Sequence, residues 1–219
     1  MKIQIVILSV TLSVLVALGI YYFSSPLPIT NYPSQGTDII AFGDSLVGGV
    51  GSTDGNDFVS LLSKKIGQPI VNLGHAGDTT ADGITRINQL DSYKPKVVLL
   101  LLGGNDHLKK IPILETRKNL ATLIENIQAR GAIVLLLGVR GGLLNDRFDT
   151  EFENLKNTYH TAFVPDVLDG LFGDMQYMSD AIHPNDAGYG VIAERIYLIL
   201  TKMLEYRPLR QRPQDNDLY

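Results

Sequence analysis

Along the chain, short unbroken apolar runs alternate with longer segments in which apolar residues recur every three or four positions. The runs read as strands buried on both faces and the periodic segments as helices with one apolar stripe. Ile39 to Phe42, Pro69 to Leu73, Val97 to Leu102 and Ala132 to Leu137 are the predicted strands, with a short fifth near Phe163 to Val167. Val97 to Leu102 is the most hydrophobic of them and is expected at the centre of the sheet. A first helix carries Phe58, Leu61, Leu62 and Ile66 on one face, with Asn56 as its cap and Gly67 as its stop. A second starts at Thr79 or Thr80 and reaches about Leu90, and a third runs from Pro112 to Arg130 on a stripe of Leu120, Leu123, Ile124 and Ile127. Phe152, Leu155, Tyr159 and Phe163 are spaced as a fourth, and the last spans Asn185 to Leu204, where Gly188 and Gly190 imply close packing. Residues 138–149 are too glycine-rich for regular structure, and Asp169 to Asp180 reads as loop. Strand and helix alternating without a long repeat predict βαβ units, hence an α/β domain with a parallel sheet between helices.

Both ends of the chain break this pattern. Ile5 to Phe23 is apolar apart from Ser9, Thr11 and Ser13, and no charge falls between Lys2 and Asp38. At about 1.5 Å per residue such a stretch crosses most of a hydrocarbon layer roughly 30 Å thick, with Tyr21 and Tyr22 at interfacial depth. Residues 1–23 are therefore read as a membrane anchor or a signal segment. Ala17 and Gly19 offer a small-residue cleavage site, but the apolar run continues past it, which favours the anchor. Lys2 ahead of the run and no Lys or Arg after it before Lys64 place the domain outside, in the periplasm or at the cell surface, or secreted if the segment is cut. Residues 24–37, with three prolines, read as a linker, 38–206 as the folded domain, and 207–219 as a disordered tail.

Composition narrows the possibilities. The 219 residues are 45% hydrophobic and 19% charged, enough for one globular domain with a full core. There is no cysteine, which excludes thiol chemistry and a cysteine-based metal site. A net charge of -4 supplies no broad positive field, so nucleic acid is excluded as a partner. His75, His107 and His160 lack a repeating carboxylate spacing and are read as surface or loop residues rather than metal ligands. Asp44, Asp78 and Asp106 are read as hydrogen-bonding loop residues.

Candidate chemistry gathers where strands end. Ligands of open α/β sheets bind beyond the carboxyl ends of the strands, and loops there carry Ser45, Gly77 and Asn105. A fourth loop brings Asp180 and His183 ahead of the last helix. Serine needs a positioned base, which His183 can supply, and Asp180 three residues earlier can fix the imidazole tautomer. The backbone N–H groups of Ser45 and Gly77 and the side-chain amide of Asn105 are candidate oxyanion donors. Leu46, Val47, Leu143, Leu144, Phe148, Met175 and Tyr177 are candidates for an acyl pocket, although core packing explains each as well.

These residues stand in four ordered blocks: Gly43-Asp44-Ser45, Asn72 to Thr79 around Gly77, Gly103-Gly104-Asn105-Asp106, and Asp180 to Asn185 around His183. In them the chain resembles the SGNH (GDSL-type) hydrolases, near their thioesterase, lysophospholipase and arylesterase branch, over roughly Asp38 to Leu204. The resemblance implies a three-layer, flavodoxin-like parallel sheet of about five strands. It also implies the same roles for Ser45, Asp180, His183, Gly77 and Asn105 as the residues themselves suggest. One departure is the trio Gly48, Gly49 and Gly51 after the nucleophile block, which leaves the shape of the acyl pocket open. The expected activity is hydrolysis of a small acyl ester, thioester or lipid-like substrate through an acyl-enzyme, with no metal and no cofactor. A carbohydrate O-acetyl esterase on the same site and a non-catalytic, envelope-tethered binding protein are the competing readings.

Overall fold

A computed structural model describes residues 29–139 and 147–204. Five parallel strands form one sheet: β1 (Asp38–Gly43), β2 (Ile70–Gly74), β3 (Pro95–Leu101), β4 (Ile133–Leu137) and β5 (Ala162–Val164), in the spatial order β2-β1-β3-β4-β5. The most hydrophobic run, β3, is indeed the middle strand. The helical elements are α1 (Ser45–Gly48), α2 (Phe58–Ile66), α3 (Thr80–Thr85), α4 (Gly104–Leu108), α5 (Ile113–Ala129), α6 (Arg147–Tyr159) and α7 (Asp186–Leu204), with a 3-10 helix at Ile87–Ser92.

Alternating residues along each strand enter opposite layers, which is why the strands had to be apolar on both faces. Ile39, Ala41, Leu99 and Leu135 join Phe58 and Leu62 of α2 and Tyr189, Ile192 and Ile196 of α7. Ile40, Phe42, Leu100 and Leu136 join Leu120, Leu123 and Ile127 of α5 and Phe152 and Leu155 of α6. The sheet order reverses direction on either side of β1, so a crevice opens beyond the carboxyl ends of β1 and β3.

Several boundaries differ from the sequence reading. Asp57, not Asn56, caps α2: its Oδ1 accepts from Ser60 N at 2.9 Å, whereas Asn56 donates through Nδ2 to Thr53 Oγ1. The helix expected to reach Leu90 stops at Thr85, because Arg86 takes a non-helical backbone (φ -117°, ψ 10°) as its side chain turns back under the site. The helix through Phe152 ends at Tyr159 instead of continuing to Phe163, since His160 adopts φ 51° and Ala162–Val164 pairs with β4. Residues 147–149, grouped with an irregular loop, are the first residues of α6. Gly188 does pack closely, a Cβ there standing 2.2 Å from Tyr177 O, but Gly190 faces open space.

Residues 29–37, expected as the end of a linker, lie along the amino edge of the sheet. Asn31 Nδ2 donates to Gln128 O at 2.7 Å and Ala132 O at 3.0 Å, and Ser34 Oγ donates to Gly131 O at 2.7 Å. Thr30 N donates to His160 O, and Ile29 and Tyr32 pack on the core. The segment thus satisfies carbonyls left at the carboxyl ends of α5 and α6. Among the described residues no helix is long and apolar enough to cross a membrane. The apolar stretch 1–23, the first part of the linker and the tail from 207 lie outside the described residues.

Candidate active site

Ser45 is the first residue of α1, directly beyond β1. The turn is tight: a Cβ on Gly43 would stand 2.2 Å from Leu101 O. Asp44 caps α1, its Oδ1 accepting from Leu46 N at 3.0 Å. Burial pushes the Asp44 carboxyl up to about 7, against the lowering pull of that N–H and of nearby His183.

His183 comes from the loop before α7, a loop closed by a bridge between Met178 and Pro184 and by Ser179 N donating to His183 O at 2.9 Å. Its Nε2 lies 3.1 Å from Ser45 Oγ and its Nδ1 2.7 Å from Asp180 Oδ2. The three-residue spacing works through a loop turn rather than a turn of helix. Asp180 Oδ1 accepts from Ile182 N at 2.8 Å and His183 N at 2.7 Å, which folds the aspartate back onto the ring. The hydrogen bond with the imidazole, followed by those two backbone N–H groups, lowers the Asp180 carboxyl to about 2. An ionised Asp180 facing Nδ1 places the imidazole proton there and leaves Nε2 to accept from the serine hydroxyl.

Gly51 makes room for this loop. Gly51 has φ 96°, and a Cβ on it would meet Ser179 Oγ at 2.3 Å and Pro184 O at 2.5 Å. The same stretch is pinned to α7 by Tyr189 Oη donating to Val50 O at 2.7 Å and by Thr53 N donating to Asp186 Oδ1 at 2.7 Å. Of the three glycines after the nucleophile block, Gly51 is the one that seats the histidine loop, while Gly49 packs against Asp57.

Asn105, in the first turn of α4, donates through Nδ2 to Asp78 O at 2.9 Å, and the amide carries a second N–H. Gly77 adjoins Asp78 in a loop at φ 86°, with nothing within 4 Å of a Cβ on it. Asp106 is buried and accepts from Thr80 N at 2.8 Å, and from Thr80 Oγ1 and Thr116 Oγ1. Asp78 pairs with Arg86 and His75. Asp44, Asp78 and Asp106, the last in α4 rather than a loop, thus act as hydrogen-bond acceptors. Among the described residues no group of three His, Asp or Glu side chains is placed to hold a metal ion.

A cavity of about 470 Å³ opens beside Ser45, Asn105 and His183. Leu46, Leu108, Val139, Leu168, Phe172 and Ile182 give it apolar walls, with His107, Asp166 and Asp169 also lining it. Of the pocket candidates among the described residues, only Leu46 is found there. Val47 points about 100° further round the same turn, into the core, where it is fully buried. Met175 is 84% exposed and Tyr177 packs against the core, so neither lines the cavity. Leu143 and Leu144, and the side chain of Phe148, lie outside the described residues. Gly77 is not among the lining residues either, although its loop holds Asn105.

The profile of the GDSL-like lipase/acylhydrolase family matches residues 41–191, more than half of the chain. The chain is 31% identical over 178 residues to esterase TesA of Pseudomonas aeruginosa, covering 76% of this chain and 89% of that protein. It is 28% identical over 165 residues to thioesterase 1/protease 1/lysophospholipase L1 of Escherichia coli K12, covering 71% and 79%. The crystal structure of TesA superimposes with a TM-score of 0.71 at 30% identity, covering 76% of this chain and 99% of that one.

Proposed function

The chain belongs to the GDSL-like lipase/acylhydrolase family and is a carboxylic ester hydrolase, and we propose that it works through an acyl-enzyme on Ser45. The observation that carries this reading is the continuous chain from Asp180 through His183 to Ser45, at 2.7 Å and 3.1 Å. Ser45 Oγ attacks the ester carbonyl carbon while its proton passes to His183 Nε2. Asp180 stabilises the imidazolium that forms. The carbonyl oxygen, now an oxyanion, is received by the N–H groups of Ser45 and Gly77 and the Asn105 amide. As the tetrahedral intermediate collapses, His183 returns the proton to the leaving alcohol. Water then attacks the acyl-enzyme, His183 takes and gives back one proton, and the acid leaves with Ser45 restored.

The apolar walls and volume of the cavity support acyl groups longer than acetyl, and the name of the E. coli relative brings thioesters within range. The test is hydrolysis of p-nitrophenyl acetate, butyrate, octanoate and palmitate by the chain from Ser24 onward. Activity is expected to rise from acetate to octanoate, and Ser45→Ala to lower it by at least about 10³-fold. Activity confined to acetate would point to O-deacetylation, and activity retained in Ser45→Ala would remove Ser45 as nucleophile.

We also propose that residues 1–23 carry the domain across, or hold it on, a membrane. The uncharged stretch after Lys2 supports this. So does the entry of residues 29–37 at the amino edge, remote from the cavity mouth, since an anchor there leaves the mouth clear. Vesicle flotation of the full chain against the chain from Ser24 tests it; equal behaviour of the two removes the anchor.

A further inference from the structure

Arg86 takes no part in the chemistry described, yet its side chain is only 13% exposed and reaches three separate segments of the active-site edge. Nη2 donates to Gly43 O at 2.7 Å, Nη1 to Leu73 O at 2.9 Å, and Nε to Asp78 Oδ2 at 2.5 Å. The guanidinium also lies 4.1 Å from the centre of the Phe42 ring. Gly43 ends β1 two residues before Ser45, Leu73 belongs to β2, and Asp78 follows Gly77.

Two of these contacts bear directly on the oxyanion donors. Gly43 O also accepts from His75 N at 2.9 Å, so the guanidinium fixes the point where the serine turn and the Gly77 loop meet. Asp78, held through its carboxylate, offers its backbone oxygen to Asn105 Nδ2 at 2.9 Å and so aims that amide. The three acceptors are met by three different nitrogens of one planar fork, a spread that the single nitrogen of an ammonium does not offer. We propose that Arg86 is a positioning residue that holds the three oxyanion donors, Ser45 N, Gly77 N and Asn105 Nδ2, in one constellation.

The proposal rests on the oxyanion roles assigned above and predicts a loss in the transition state rather than in substrate binding. Arg86→Ala and Arg86→Lys would be compared with wild type for kcat and KM on p-nitrophenyl butyrate. The rate of covalent capture of a p-nitrophenyl alkylphosphonate, whose adduct places an oxygen in the oxyanion site, gives a second readout, and melting curves fix the folded fraction.

In Arg86→Ala, kcat and phosphonate capture are expected to fall together by about 10² per folded molecule with KM within about twofold, as for donors displaced by a fraction of an ångström to an ångström. Arg86→Lys should recover little of this, whereas millimolar guanidinium chloride should raise kcat of Arg86→Ala but not of wild type. If Arg86→Ala fails to fold, Asp78→Asn, which removes the ion pair but keeps the backbone oxygen, takes its place with the same expected pattern. A loss explained by the unfolded fraction, a loss confined to KM, or full recovery with lysine would each overturn the proposal. Because Ser45→Ala is assayed alongside, an inactive serine variant with a neutral Arg86 variant would refute the positioning role alone.

Discussion

The two edges of the sheet treat their polar groups in opposite ways. At the amino edge, Thr30, Asn31 and Ser34 close carbonyls that α5, α6 and the turns after them leave open. Among the buried side-chain polar atoms described there, Thr161 Oγ1 is the exception that lacks a partner. At the carboxyl edge a buried carboxyl is driven up to about 7, Gly51 and Gly77 sit at positive φ, and the serine and imidazole face a cavity. Groups that would be stabilising if fully paired are kept available for substrate, and stability falls locally as a result. Substitutions at the two edges should therefore separate turnover from stability.

The largest separation is expected at His183. His183→Ala removes the base and leaves Ser45 without a proton acceptor, so turnover should fall by at least about 10³-fold. Its side chain is 16% exposed and the loop is closed by backbone contacts, so the melting temperature should stay within a few degrees of wild type. Activity assays and melting curves on the same preparation decide the point; a collapse of the fold would show that the carboxyl edge is structural after all.

This contrast also explains what was legible in the sequence. Ser45, Asn105 and His183 each sit in a short contiguous block next to a strand end or helix start, so chain order alone places them on one edge. The cavity wall had no such signal. Leu108, Val139, Leu168, Phe172 and Ile182 come from separate segments and meet only through the order of the strands. Val47 was misplaced because adjacency to Leu46 says nothing about which side of a turn a residue takes. Arg86 escaped notice because arginine is ordinarily a surface residue, and its spacing from Asp78 matters only once α3 breaks at Thr85. Residues 29–37 read as a linker because prolines and small polar residues also make good caps for another element's carbonyls.

A second effect, in stability rather than rate, belongs to Asp44. Its carboxyl holds a proton up to about 7 in the folded protein, against an ordinary value of 3.8. Between those values the folded state binds more protons than the unfolded one, so stability falls as pH rises through the window. Asp44→Asn keeps an oxygen for Leu46 N but has nothing to ionise. Its advantage over wild type should be small at pH 4 and grow to on the order of 4 kcal/mol above pH 7. Urea unfolding at several pH values measures this; a pH-independent difference would mean that Asp44 is charged throughout.

The smallest effect is expected at the amino edge, with the opposite signature. Asn31→Ala removes the side-chain donor from Ala132 O and from Gln128 O, the latter keeping the N–H of Gly131, and places a Cβ-bearing residue lacking a polar side chain at φ 63°. Together these should lower stability by about 2 kcal/mol. Asn31→Gly removes the backbone strain but not the lost hydrogen bonds, so it should recover only part of the difference. Since the segment lies at the far end of the strands from Ser45, kcat per folded molecule should match wild type in both variants. A change in kcat without loss of stability would show that the two edges are coupled through the sheet, and that the division between a closed edge and an available one does not hold.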